Sequence, residues 1–246
     1  FFTVYFVNQL GLPMGFVLVL TVVSQLANLA VLRSWGALAD RFSNKSVLSV
    51  AAPALIASIA AMVFASQFDD PVRAGAYLAA LHVAMGMASA GVGLASGAVA
   101  LKLAPRGAAT AYVAANSLIT SFAAGIAPIL GGLFADFFAR RRLEFDARWI
   151  DPDGVLQLLE FRFGAWDFYF LIAAVLGLYA LHRLTLIREE GEVGQEVLVQ
   201  QIVQGARRSI LNASTVAGLR LAAVFPSGEL VASRARPRRR AARDRA

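Results

Sequence analysis

Cysteine is absent from this chain of 246 residues, and histidine occurs only twice. The lack of thiols excludes disulfide bonds, thiolate metal ligands and cysteine nucleophiles. The two imidazoles, His82 and His182, lie in different segments, so the sequence gives no clustered metal-ligand pattern. These absences argue against metal-dependent chemistry, and we expect no cofactor.

Charge is also sparse, because 16% of the residues are charged and 58% are hydrophobic. A soluble domain needs more polar surface than this composition supplies. The net charge of +7 would suggest nucleic acid in a soluble protein. Here the basic residues fall in loops and at the chain end, as the positive-inside rule requires. We therefore expect an integral membrane protein that contacts membrane lipids and has no nucleic-acid partner.

Apolar runs recur along the chain between short charged or turn-forming clusters. A helix needs roughly 20 residues to cross a hydrocarbon core. The first run, residues 1–10, is shorter than that and is interpreted as the outer part of a cut helix. Five longer runs follow at residues 14–35, 46–65, 74–101, 109–138 and 166–186. The pattern predicts a bundle of membrane helices whose amino-terminal part precedes Phe1.

Basic residues in alternate loops predict the orientation of this bundle. Arg41 with Lys45, Lys102 with Arg106, and all residues after Arg188 fall on one side, which should be cytoplasmic. We predict a transmembrane bundle at residues 1–187 with an outer loop at 139–165, followed by a cytoplasmic tail at 188–246.

The outer loop contains a turn signal between two extended stretches. Residues 144–150 and 155–163 flank the sequence Asp151, Pro152, Asp153, Gly154, and proline and glycine favour a tight turn. We predict a short β-hairpin outside the membrane. An irregular loop or an interfacial helix is the alternative.

The tail combines an amphipathic pattern with a basic end. After Glu189, Glu190 and Glu192, apolar residues can form a helical stripe: Val193, Val197, Ile202, Val203, Ile210 and Leu211. The stripe is expected to lie along the cytoplasmic face of the bundle. The arginines that follow form a low-complexity stretch that we expect to be disordered and to attract anionic lipid: Arg234, Arg236, Arg238, Arg239, Arg240, Arg243 and Arg245.

A motif closes the second segment. It reads Gly-Ala-Leu-Ala-Asp-Arg from Gly36 to Arg41, and Lys45 follows. This resembles the signature loop of the major facilitator superfamily, although Ser43 and Asn44 depart from that pattern. The resemblance implies that Gly36 permits close helix approach and that Asp40, Arg41 and Lys45 belong to a conformational latch. The alternative is a solvated, positive-inside loop.

A second motif supports the same family. The run from Ala123 to Gly132 resembles the family's glycine-proline helix motif, with Ala127 in place of the first glycine. Pro128 is expected to bend the helix, and Gly131 and Gly132 to allow close packing. An ordinary packing seam is the alternative. In addition, Gly36, Ala39, Asp40 and Phe42 recur at the offsets of Gly132, Ala135, Asp136 and Phe138, as repeated three-helix groups would show.

The resemblance implies an all-α membrane protein that forms the carboxyl-terminal six-helix half of a major-facilitator bundle, with its first helix truncated. It also implies a secondary transporter of a bacterial inner membrane. Such a transporter moves a small solute, with or without a coupling ion, by alternating access between two six-helix halves. Its partner would be the missing amino-terminal half.

Polar residues within the apolar segments are candidates for the solute path, because unpaired polar groups are costly in hydrocarbon. Thr21, Ser24, Gln25 and Asn28 follow helical spacing on one face of the second segment. Asn116 and Thr120 add polar groups in the fifth. Interhelical hydrogen bonding is the alternative role.

His82 is the imidazole expected at membrane depth, and it is a candidate contact for a proton or substrate. A structural histidine with its hydrogen bonds satisfied is the alternative. An intramembrane enzyme is not indicated, because the sequence shows no paired acids and no nucleophile with a base at membrane depth. A membrane scaffold or sensor that keeps the fold but does not transport remains a rival to the transporter.

Overall fold

The computed structural model describes residues 1–68, 70–102, 104–105, 107–151, 154–187, 189 and 191–213. The helices are α1 (Phe2–Asn8), α2 (Met14–Arg41), α3 (Asn44–Ala61), α4 (Pro71–Lys102), α5 (Ala109–Phe138), α6 (Ala165–Thr185) and α7 (Gln195–Ala213). A 3₁₀ helix, Met62–Gln67, extends α3, and two strands, β1 (Leu143–Asp151) and β2 (Gly154–Phe163), connect α5 to α6. The chain divides into two compact units, residues 1–195 and 196–246.

Five helical segments of the described chain are long and apolar enough to cross a membrane. They are Met14–Arg41, Asn44–Gln67, Pro71–Lys102, Ala109–Phe138 and Trp166–Thr185. The expectation of an all-α membrane bundle is confirmed. Helix α1 has 7 residues and is too short to span. Because consecutive spans alternate in direction, the ends of α2, α4 and α6 lie on the same side as the starts of α3 and α5.

Helix α2 is longer than the sequence predicted. The predicted segment stopped at residue 35, but the helix continues to Arg41, so Gly36, Asp40 and much of the motif are helical. Alanine and leucine in this stretch are good helix formers, and no proline interrupts it. The break comes at Ser43, whose side chain accepts a hydrogen bond of 3.0 Å from the Ser46 backbone amide and caps α3.

Helices α2 and α4 approach closely where α4 carries glycine. A Cβ atom on Gly86 would collide with the backbone carbonyl of Ser24 in α2. A Cβ atom on Gly91 would lie 2.7 Å from Cβ of Ala51 in α3 and 2.9 Å from the Trp35 ring. Glycine at these positions therefore lets α4 pack against both neighbours, as small residues do in membrane helices.

An aromatic cluster joins α1 to α6 at the other end of the bundle. Tyr5, Phe6 and Phe170 are buried, and the Tyr5 and Phe170 rings meet edge to face with centroids 5.0 Å apart. The Tyr5 hydroxyl donates a hydrogen bond of 3.4 Å to the Met62 carbonyl oxygen. The cluster fixes short α1 against the longer helices.

The predicted hairpin is confirmed. Strands β1 and β2 pair antiparallel from Leu143 opposite Phe163 to Asp151 opposite Gly154, with an irregularity between Ala147 and Arg148. The predicted turn residues Pro152 and Asp153 lie outside the described residues.

The predicted tail is helical from Gln195 onward in the part that the structure describes, and residues 189 and 191–194 before it are not helical. Helix α7 covers Gln195–Ala213. The predicted disordered, arginine-rich end lies outside the described residues, and the domain boundary near residue 187 remains a prediction.

The α2–α4 contact can be tested with two glycines of the same helix. We expect Gly86→Ala to lower the melting temperature of the purified protein in detergent, because the new methyl group would separate α4 from α2 at a cost of about 1–3 kcal/mol. Gly93→Ala is the matched control, because nothing lies within 4 Å of a Cβ at Gly93. That variant should be neutral or stabilising, since alanine favours helix. Equal melting temperatures for Gly86→Ala and the wild type would refute the close contact.

Candidate functional site

Polar side chains meet between α2 and α4 inside the spans. The Asn28 amide donates a hydrogen bond of 3.2 Å to the Ser89 hydroxyl, which in turn donates one of 3.0 Å to the Gly86 carbonyl oxygen. The backbone of Ser24 faces Gly86 one helical turn away. The hydrogen bonds hold the Asn28 side chain at the seam between the two helices.

The remaining polar residues on this face of α2 are more open. Thr21 and Gln25 are exposed, and Ser24 and Asn28 are half-buried. The Thr21 hydroxyl donates to the Val17 carbonyl oxygen of its own helix over 3.0 Å. Two of the four predicted path residues therefore face outward from the described structure, where another molecule can reach them.

His82 lies in α4 and is buried. Its Nδ1 atom lies 2.8 Å from the Leu78 carbonyl oxygen. A carbonyl oxygen can only accept, so Nδ1 carries the proton in this bond and Nε2 keeps its lone pair. The ring also packs against Phe6, with centroids 5.4 Å apart. The structure does not bring His82 into a hydrogen bond with the polar face of α2 among the described residues.

Asn116 and Thr120 occupy an exposed face of α5. The Thr120 hydroxyl donates to the Asn116 carbonyl oxygen over 2.7 Å, a bond within the helix. No hydrogen bond among the described residues joins this pair to α2 or α4. The structure thus presents two separate polar faces, one on α2 and one on α5.

The predicted latch residues divide into an exposed and a buried part. Asp40 and Arg41 are exposed at the end of α2, where the Arg41 guanidinium lies over the Phe42 ring at 5.2 Å. A Cβ atom on Gly36 would lie 3.8 Å from the Leu94 side chain of α4, an ordinary contact distance. Lys45, in contrast, is buried in the first turn of α3.

The carboxylate of Glu189 contacts the start of α3 and the end of α4. The backbone amides of Asn44 and Lys45 donate hydrogen bonds of 3.3 and 2.7 Å to Glu189, and the Asn44 side chain donates another of 3.1 Å. Lys102, at the end of α4, forms an ion pair of 3.0 Å with the same carboxylate. Glu189 thus occupies the positive end of the α3 dipole and links α3, α4 and the chain that leaves α6.

The residues after Glu189 continue the contact. We call residues 189 and 191–195 the strap. Lys45 pairs with Glu192 at 2.7 Å, and the Ser46 hydroxyl exchanges hydrogen bonds with the backbone of Val193 at 2.9 and 3.2 Å. Gly191 adopts a φ of 81°, and a Cβ there would lie 2.6 Å from the Phe42 carbonyl oxygen. Glycine is therefore required where the strap passes the α2–α3 corner.

These contacts shift the acidity of Glu189. Burial alone would raise its pKa, but the hydrogen bonds from Lys45, Lys102 and Asn44 outweigh burial and hold the pKa below the ordinary glutamate value. The ionised Glu189 carboxylate therefore stabilises the folded state. This stabilisation is fully present above the unfolded glutamate pKa of about 4.3 and is lost as the pH falls through the lower pKa of the folded state. The strap should stay bound at neutral pH and loosen in acid.

A comparison with protein-family models identifies the family of this chain. A family model described as Major Facilitator Superfamily matches residues 1–240. The chain belongs to the major facilitator superfamily. The resemblance seen in the residues around Gly36 and Asp40 is confirmed at the level of the family, and membership gives this integral membrane protein a transporter-type function. The comparisons with curated proteins and with solved structures gave no match.

The second superfamily motif lies within α5, which runs unbroken through Pro128. Gly131 is buried, and a Cβ there would lie 2.6 Å from the Phe1 ring. Gly132 has nothing within 4 Å of its Cβ position. The close-packing role is thus supported for Gly131 by a contact, whereas the role of Gly132 remains a prediction.

Two acids were missed as site residues by the sequence analysis. Glu189 was assigned to the tail, because its partners are distant in sequence: Asn44 lies 145, Lys45 144 and Lys102 87 positions away. Asp167 is buried in the first turn of α6, where its Oδ2 atom accepts a bond of 2.7 Å from the Gly164 amide. No described residue holds its Oδ1 atom by a hydrogen bond. A local signal existed for Asp167, since an acid in the first turn commonly caps a helix.

The described residues contain no group of three or more His, Asp or Glu side chains that could hold a metal ion. The polar and charged groups that the structure brings together are instead hydrogen-bonding pairs and ion pairs between helices. They are suited to positioning the helices.

The strap contact can be tested with Glu189→Gln. An uncharged amide loses the charge-assisted bonds, each worth about 1.5–3 kcal/mol, so we expect a lower melting temperature in detergent at neutral pH. The difference in melting temperature between the variant and the wild type should shrink as the pH falls through the lowered folded pKa of Glu189, because the wild-type carboxylate is then protonated.

Glu196→Gln is the matched control for that measurement. Glu196 is exposed in the first turn of α7, so its replacement should change the melting temperature little at any pH. If the difference in melting temperature between Glu189→Gln and the wild type does not change with pH, the assigned role of the carboxylate is contradicted.

Proposed function

We propose that this chain is the carboxyl-terminal six-helix half of a secondary active transporter. In this proposal the transporter moves a small solute by alternating access, with or without a coupling ion, and the chain works together with an amino-terminal half that precedes Phe1. Its activity is movement of a solute and not catalysis of a covalent reaction.

The observation that carries this proposal is the polar face of α2. Asn28 is held by Ser89, while Gln25 and Thr21, one and two turns away, are exposed within an apolar span. The Thr21 hydroxyl is satisfied by its own helix, but in lipid the exposed Gln25 amide would lose its contact with water, which costs free energy. A water-filled or solute-filled path along this face removes that cost, so we assign Thr21, Ser24, Gln25 and Asn28 to the path.

Exposure of α5 supports the presence of a second half. Gly131 is the only buried residue of α5, and Asn116 and Thr120 add polar groups to its exposed face. A membrane helix with polar exposed positions is expected to face protein or water and not lipid. We propose that α5, together with α2, borders the other half and the solute path. His82 is a proposed contact deeper in the bundle.

The exposed charges at the end of α2 fit a latch that engages this second half. Lys45 is occupied by Glu192, whereas Asp40 and Arg41 are exposed at the α2 terminus. We propose that Asp40 and Arg41 form contacts with the other half in one of the two conformations and release them in the other.

The distribution of basic residues supports an orientation. Arg41, Lys45, Lys102 and Arg183 lie at helix ends on one side of the bundle, which the positive-inside rule places in the cytoplasm. We therefore propose a cytoplasmic carboxyl terminus and a bacterial inner membrane as the location, with the hairpin outside.

Transport can be tested with Asn28→Ala in the complete transporter. Metabolite profiles of cells with and without the protein identify the solute, and uptake into membrane vesicles then measures its flux. We expect Asn28→Ala to reduce the flux about tenfold or more, because one lost hydrogen bond of about 1–2 kcal/mol accompanies a shift of α2 against α4. The amount of protein in the membrane should be unchanged.

Leu26→Ala is the control, because Leu26 is exposed on the opposite side of α2, and it should keep most of the flux. Absence of any solute flux from the wild-type transporter, at normal amounts in the membrane, would contradict the proposal. That result would favour a scaffold or sensor that keeps the superfamily fold.

A further inference from the structure

Helix α7 exposes an apolar stripe. Val199 and Val203 are four residues apart and therefore share a face, and their side chains are 45% and 59% exposed. Ala206 and Ile210 continue the same helical spacing in the sequence. Gln200 and Gln204 are exposed on an adjacent face. Val197 is also 44% exposed, but it lies on the other side of the helix. The stripe formed by Val199 and Val203 next to polar side chains is typical of helices that lie in a membrane interface.

The strap fixes where this helix begins. The Gln195 side chain, in the first residue of α7, donates a hydrogen bond of 2.7 Å to the Ser49 carbonyl oxygen. Ser46, bonded to Val193, lies one turn earlier. Both serines belong to the first turns of α3, which crosses the membrane from this point. The start of α7 is therefore held at a boundary between the membrane and water.

Charge favours an anionic surface as the partner of α7. Arg207 and Arg208 follow the exposed valines within two turns, and Glu196 is the acidic residue of the helix. The basic ends of the spans, with Arg41 and Lys102, lie on the same side of the bundle as the strap. Each basic residue near an anionic membrane surface contributes about 1 kcal/mol of attraction.

We propose that α7 is an in-plane membrane helix that inserts Val199 and Val203 among anionic lipids while Arg207 contacts their phosphates. The partner is the lipid surface that surrounds the bundle, not a soluble protein. Insertion gives the exposed valines an apolar environment. The entropy cost of binding α7 to the lipid surface is lowered because the strap already holds Gln195, its first residue, in place. This proposal does not depend on whether the chain transports a solute.

The absence of cysteine makes a site-specific test direct. Val203→Cys and Gln204→Cys are each labelled with an environment-sensitive fluorophore in the full chain. The proteins are reconstituted into vesicles of phosphatidylcholine alone or of phosphatidylcholine with phosphatidylglycerol. We expect a blue shift and quenching by nitroxide-labelled lipid at position 203, both larger with phosphatidylglycerol and reduced by salt. The label at position 204 should remain in a more aqueous environment.

Arg207→Gln combined with Arg208→Gln should abolish the dependence on phosphatidylglycerol without unfolding α7, since glutamine is a good helix former. Two results would overturn the proposal. A label at position 203 that stays aqueous in both vesicles shows that α7 does not insert. A blue-shifted label that lipid-borne nitroxide does not quench shows that protein, and not lipid, covers the stripe.

Discussion

The packing of this protein depends on the need to satisfy every backbone polar group without water. Inside hydrocarbon, continuous helices do this locally, so contacts between helices must come from shape and from a few polar side chains. Gly86 and Gly91 supply the shape, because each brings α4 within contact distance of a neighbouring helix. The Asn28–Ser89 hydrogen bond lies at this seam. The position of the proposed solute path is thus a consequence of where glycine permits close approach.

At the end of the bundle that carries the strap, charged side chains join the helices, whereas inside the spans close contact depends on glycine. Glu189 accepts hydrogen bonds from the start of α3 and pairs with Lys102 at the end of α4. The strap that follows Glu189 passes the α2–α3 corner at Gly191 and pairs with Lys45 through Glu192. Contacts between charged groups and helix ends therefore hold this end of the bundle together.

The elements that were predictable from sequence are those with local causes. Hydropathy located the spans, and the turn signal at Asp151 to Gly154 located the hairpin, since both depend on neighbouring residues. The extension of α2 to Arg41 was missed because a charged motif was equated with a loop. The strap was missed because Glu189 and Lys45 are distant in sequence, and no local pattern indicates such a pair. The proposed roles of Asn116 and Thr120 depend on what lies against the exposed face of α5, which no local sequence pattern indicates.

The central claim, that the polar face of α2 borders a solute path, is tested most directly by cysteine accessibility along this helix in the complete transporter. Single cysteines replace Thr21, Ser24, Gln25 and Asn28, with Val19 and Leu26 as positions on the opposite side. The account predicts that a small, water-soluble thiol reagent modifies the polar-face positions, that the solute protects them, and that Val19 and Leu26 stay unmodified in lipid. Equal reactivity around the helix, or an inert polar face, would contradict it.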